Sequence, residues 1–140
     1  MVDKFKYSWI TLVIFILAGC ELIKLSEAKK KQIPLDPSQS IGIVALLVNE
    51  VKQNNINGSV KLFVFSDSSL YSENYFELKD RLERFGRNVA NRSITYYKID
   101  TLNPAEHLLN VEFDFIYEYF FIVQKSENIW LIRNFGPKSQ

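Results

Sequence analysis

The sequence predicts an α+β domain, with two or three helices followed by a curved antiparallel sheet of three to four strands packed against them. Three observations carry this. Apolar residues recur at helical spacing through Ile41, Val44, Val48 and Val51, and again through Tyr71, Tyr75, Leu78, Leu82 and Phe85. From Ser93 the period changes to two, and Leu109, Val111, Phe113, Phe115, Tyr117, Tyr119, Phe121 and Val123 occupy every odd position. Turn-forming residues (Asn103-Pro104, Lys125 to Asn128, Gly136-Pro137) then punctuate the apolar runs.

Length and composition set the bounds. With 140 residues, 47% of them hydrophobic and 14% aromatic, the chain can bury one core of ordinary size, so one folded domain is expected. Seventeen Lys and Arg against 16 Asp and Glu leave no basic footprint of the kind that phosphate contacts require, which argues against nucleic acid as a partner. Cys20 is the single cysteine, so no intramolecular disulfide can form.

The first element is a sorting signal. Lys4 and Lys6 lie in a short charged lead, an apolar stretch runs from Trp9 to Leu17, and the small residues Ala18 and Gly19 precede Cys20. A spanning helix needs about 20 apolar residues, and Glu21 and Lys24 end the run short of that. The tetrad Leu17-Ala18-Gly19-Cys20 resembles the lipobox of bacterial lipoproteins. That resemblance implies that Leu17, Ala18 and Gly19 are read by the lipoprotein signal peptidase, and that the Cys20 thiol carries a diacylglyceryl group and becomes the first residue after cleavage. Palmitate-type acylation there would anchor the chain to the membrane, since two or three acyl chains hold where one does not. Glu21 stands where enteric-type inner-membrane lipoproteins carry Asp. By the family rule, the periplasmic leaflet of the outer membrane is then the expected location in a cell that has one.

On this reading residues 1–19 are a signal peptide, 20–36 the lipidated N-terminus and tether, 37–136 the α+β domain and 137–140 a tail. Lys29, Lys30 and Lys31 in the tether either meet anionic headgroups or are simply solvated. Loss of Asp3, Lys4 and Lys6 with the signal leaves acidic and basic side chains equal in number.

The first domain helix is expected from Pro37 to Gln53, with Asp36 as cap, Pro37 at the first helical position and Gln39 completing a capping box. Asn54 to Ser59 reads as the turn that closes it. Val60 to Phe65 fits a buried strand or a helical turn, with helix slightly favoured. After the Ser66 to Ser69 turn cluster comes the helix of Tyr71 to Phe85, its polar side carrying Glu77–Arg81, Asp80–Arg84 and Glu83–Arg87 at i,i+4, with Gly86 as its stop. Ser93 to Leu102 is a strand that ends at Asn103-Pro104. The alternation from Leu109 to Val123 would make a strand about 50 Å long at ~3.3 Å per residue, so it must bend strongly or break where no turn residue marks the break. Lys125 to Asn128 turns the chain into a last strand, Ile129 to Phe135.

This order, together with the Ile41 to Phe65 segment and the closing Asn128 to Phe135 strand with Trp130, is similar to small bacterial members of the nuclear-transport-factor-two-like group within the cystatin-like class. The resemblance implies a cystatin-like roll whose sheet and helices form a cone. The group contains enzymes and binding modules, so the fold does not assign a function.

Chemistry is sparse. His107 is the one histidine and has no obvious orienting carboxylate, and no catalytic residues, metal ligands or cofactor motif are assigned. Glu112, Asp114 and Glu118 would share one face of a strand, as a hard-cation site or as a solvated row of charges. Tyr71, Tyr75, Phe113, Tyr117 and Trp130 would line an apolar cone for a small ligand or lipid, or else fill the core. Ile116, Phe120 and Ile122 put apolar side chains on the opposite face, a candidate surface for an envelope protein or a second copy. The expected role is therefore a non-catalytic, lipid-anchored envelope protein acting by protein contact. Ligand binding in the cone, or immunity and exclusion, are the alternatives.

Overall fold

The computed structural model describes residues 32–64 and 73–138, and the signal segment with its Leu17 to Cys20 tetrad lies outside them. The element order is α1 (Ser40–Lys52), α2 (Ile56–Val60), α3 (Glu73–Val89), β1 (Ile94–Asn103), β2 (Glu106–Phe113), β3 (Tyr117–Ser126) and β4 (Ile129–Pro137). The four strands form one antiparallel sheet in the order β1-β2-β3-β4. The chain is thus α+β, with its helices before an open sheet.

α1 starts three residues later than the sequence suggests. Asp36 does not cap it: its carboxylate accepts from the Ser38 N–H (2.9 Å) and the Ser38 hydroxyl (2.6 Å), while its carbonyl accepts from the Gln39 N–H (3.1 Å). This closes a turn ahead of the helix, and Gln39 becomes the N-cap without a side-chain bond. Those two Ser38 bonds, side chain first, hold the Asp36 carboxyl below its ordinary pKa. Gly42 faces the turn so closely that a Cβ there would lie 1.9 Å from the Asp36 carbonyl oxygen.

Asn54 ends α1 at φ 56. Asn55 does not extend the turn but caps α2, its side chain accepting from the Gly58 N–H at 3.0 Å. The Val60 to Phe65 run is neither buried helix nor strand along its length. Val60 ends α2, Phe63 makes a single parallel bridge to Ile132 on β4, and Phe65 lies outside the described residues.

α3 passes Gly86 without stopping and runs to Val89. Gly86 instead gives close approach to α1, with Val51 3.4 Å from where its Cβ would be. Of the three i,i+4 pairs, Asp80–Arg84 forms. Arg81 turns toward β4, where it donates to Asn134 Oδ1 (3.0 Å) and to the Phe135 carbonyl and lies over the Phe135 ring.

The long alternation breaks at Asp114 to Ile116. Asp114 and Phe115 both take the left-handed conformation, at φ 49 and 60, and the chain reverses so that Phe113 pairs with Tyr117. The reversal advances the chain by an even number of residues, so odd positions stay on the core face of both strands and the period runs through the turn unmarked. Glu127, at φ 54, makes the last hairpin.

The core lies between the helices and that odd face. Phe85 of α3 is its centre, edge-on to Phe113, Tyr119, Phe121 and Phe135 at centroid distances of 4.9 to 5.9 Å. Val44 and Leu47 of α1 and Leu82 of α3 are fully buried beside Leu109, Val111, Val123 and Ile132 of the sheet.

Candidate functional sites

The four described members of the proposed cone are dispersed. Phe113 is fully buried, with its ring edge-on to that of Phe85 at 5.9 Å. Trp130 is buried, with its ring 4.3 Å from that of His107. Tyr117 is partly exposed near the β2–β3 turn under the guanidinium of Arg92. Tyr75 lies on α3 with Phe76 edge-on to it and Lys79 above its ring. Tyr71 lies outside the described residues. The aromatic face is filled core, because the rings of α3 and the sheet interlock there.

Nor do the three carboxylates form a row. Asp114 is in the turn, where it receives the Ser93 N–H at 2.9 Å while its own N–H donates to the Ser93 carbonyl, with Arg92 3.9 Å away. Glu112 pairs with Glu118 across β2 and β3, and Glu118 is neutralised by Lys138 at 2.6 Å. Among the described residues no three Asp, Glu, His or Cys side chains cluster as metal ligands would. The His107 Nδ1 is buried without a hydrogen-bond partner.

The outer-face residues separate into two places. Phe120 and Ile122 are half-buried in mid-strand on the face opposite the core, and the Phe120 ring lies over Gly136, 3.0 Å from where a Cβ would stand. Ile116 is in the turn, 59% exposed beside Phe115 at 79%. A shallow groove of about 500 Å³ runs between this turn and the end of β4, bordered by Glu118 and Lys138.

Sequence reasoning missed the flank of the sheet formed by β1. Tyr97 and Ile99 pair with the fully buried Val111 and Leu109, so they lie on the core face, yet both are exposed because the helical layer stops short of them. On the other face Tyr96 is exposed, and Lys98 and Asp100 form an ion pair at 2.9 Å. The hydrogen bond that Lys98 donates to the Asp100 carboxylate, and then the charge of that carboxylate, raise the Lys98 pKa. The signal available in the sequence was Tyr96, an aromatic residue at an even position with Lys98 and Asp100, where a strand with one wet face would carry a polar one.

Among the described residues no helix is long and apolar enough to cross a membrane. Compared with protein-family models, curated proteins and solved structures, the chain matches none.

Proposed function

We propose that this protein is a lipid-anchored component of the bacterial envelope, acylated on Cys20, whose α+β domain has a non-catalytic binding role. The observation that carries the reading is the Leu17-Ala18-Gly19-Cys20 tetrad at the end of an apolar run with a charged lead. Each position fits the chemistry of lipoprotein processing, and the only thiol of the chain is the one that such processing consumes. With Glu21 after the cysteine, the anchored domain would face the periplasm from the outer membrane in a cell with two membranes. A tether over residues 20–36 would extend at most about 58 Å at ~3.6 Å per residue, which limits how far an anchored domain can reach from the lipid surface.

Contact with an envelope protein is favoured over ligand binding because the rings that would line a cone are packed against one another, whereas Phe120 and Ile122 remain half-exposed on the face away from the helices. The anchor is tested by growing cells with an alkyne-bearing palmitate analogue. Wild-type protein is expected to take up the label and Cys20→Ala to lose it. An unlabelled wild type would overturn the reading.

A further inference from the structure

The two edges of the sheet are treated differently by the chain. The β4 edge is occupied: the Trp130 N–H donates to the Pro37 carbonyl (2.7 Å), the Ile132 N–H to the Leu62 carbonyl (2.8 Å), and the Val64 N–H to the Ile132 carbonyl (2.8 Å). Among the described residues the β1 edge is open: Tyr96 to Leu102 make no backbone hydrogen bond beyond those to β2. An open edge with exposed apolar side chains is a template for another strand. Here Tyr96 is 57%, Ile99 38% and Leu102 52% exposed.

We propose that β1 pairs antiparallel with β1 of a second copy of this chain, about a two-fold axis through Ile99, to make one continuous sheet across the dimer. This surface and its occupant are distinct from the Cys20 anchor and do not rest on it. The argument is charge complementarity. A two-fold axis normal to the sheet keeps each face on its own side, so outer-face residues meet outer-face residues and only even registers are allowed. With Ile99 on the axis, Lys98 of each copy lies opposite Asp100 of the other, Tyr97 opposite Thr101, and Tyr96 opposite Leu102 at the bulge. Moving the axis to Lys98 sets lysine against lysine, and moving it to Asp100 sets aspartate against aspartate. No other even register pairs Lys98 with Asp100.

The local geometry fits this register. β1 pairs regularly with β2 from Tyr96 to Thr101 and is interrupted by register shifts on either side. The five residues Tyr97 to Thr101, symmetric about Ile99, thus lie within a regular stretch. The same Lys98 and Asp100 that protect the edge in the monomer select one pairing in the dimer, with four alternating charges on the outer face. On the core face, the exposed Ile99 side chains meet each other where each helical layer stops.

The experiment uses the full-length chain in detergent with Cys20→Ala, so that an added thiol is the only one. Cα atoms opposite each other in an antiparallel pair are about 4.5 or 5.5 Å apart, within disulfide range. Ile99→Cys is therefore expected to form an intermolecular disulfide under mild oxidation. Tyr97→Cys, displaced by four residues or about 13 Å from its copy, is expected to stay reduced. Lys98→Asp in the Ile99→Cys chain should lower the disulfide yield at least tenfold, and adding Asp100→Lys should restore it. An Ile99→Cys chain with the wild-type circular dichroism spectrum but no disulfide overturns the proposal, as does a yield that ignores Lys98→Asp or a disulfide through Tyr97→Cys. Should Ile99→Cys fail to fold, light scattering on the cysteine-free chain decides. A dimer that dissociates on Lys98→Asp supports the pairing, while a monomer, or a dimer indifferent to that change, contradicts it.

Discussion

Three residues in or beside turns each make a measurable prediction. Phe115 sits in the left-handed region at φ 60 while almost wholly exposed, a placement that costs a bulky L residue about 1–2 kcal/mol. Asp-Gly is the preferred pair where both central turn residues need positive φ. Phe115→Gly is therefore expected to stabilise the fold by about 1 kcal/mol in urea denaturation, little packing being lost. Gly42 presents the opposite case. Because a Cβ would collide with the Asp36 backbone rather than with a movable side chain, Gly42→Ala should destabilise by about 1–3 kcal/mol, read from the same denaturation midpoint. Asp36 itself gives a pH dependence. Its folded pKa is held below the ordinary aspartate value of 3.8 by the two Ser38 bonds, so its contribution is fully present above that value and is lost as pH falls through the lower, folded one. The stability difference between wild type and Asp36→Ala should accordingly be constant near neutrality and shrink on acidification below about pH 4.

At the level of elements, a single ring on helix α3 touches three strands of the sheet. Phe85 meets aromatic partners on β2, β3 and β4, and Phe85→Ala should cost about 3–5 kcal/mol, visible as a large drop in thermal midpoint. Both longer helices and the strands were legible because their apolar periods are set by burial on one side: Val44 and Leu47, Leu82 and Phe85, Val111 and Phe121 are all buried as their spacing requires. Boundaries were less legible where one residue type serves two purposes. Asn55 looks like turn chemistry and acts as a cap; Gly86 looks like a stop and acts as a helix crossing point. The β2–β3 reversal could not be found from periodicity at all, since its even step preserves parity. The choice between an open cone and a filled core was open in the sequence for a related reason: alternation shows which side chains share a face, but not whether the facing helix fills the space between them, as Phe85 does. The β1 edge was written in the sequence as an imperfect alternation, but that strand order leaves it open is a property of the sheet.

At the scale of the sheet, helices cover one face as far as β2, the segments around Pro37 and Leu62 cover one edge, and among the described residues the other edge is open. A lipid anchor at Cys20 would concentrate such domains on a surface, where a weak self-complementary edge gains from high local concentration. The anchor matters first, since it decides the compartment in which any contact is made. The intact mass of the protein extracted from membranes, wild type beside Cys20→Ala, tests it. The wild-type chain is expected to begin at Cys20 and to carry acyl groups, both features absent from the variant. An unmodified, full-length wild-type mass would contradict it.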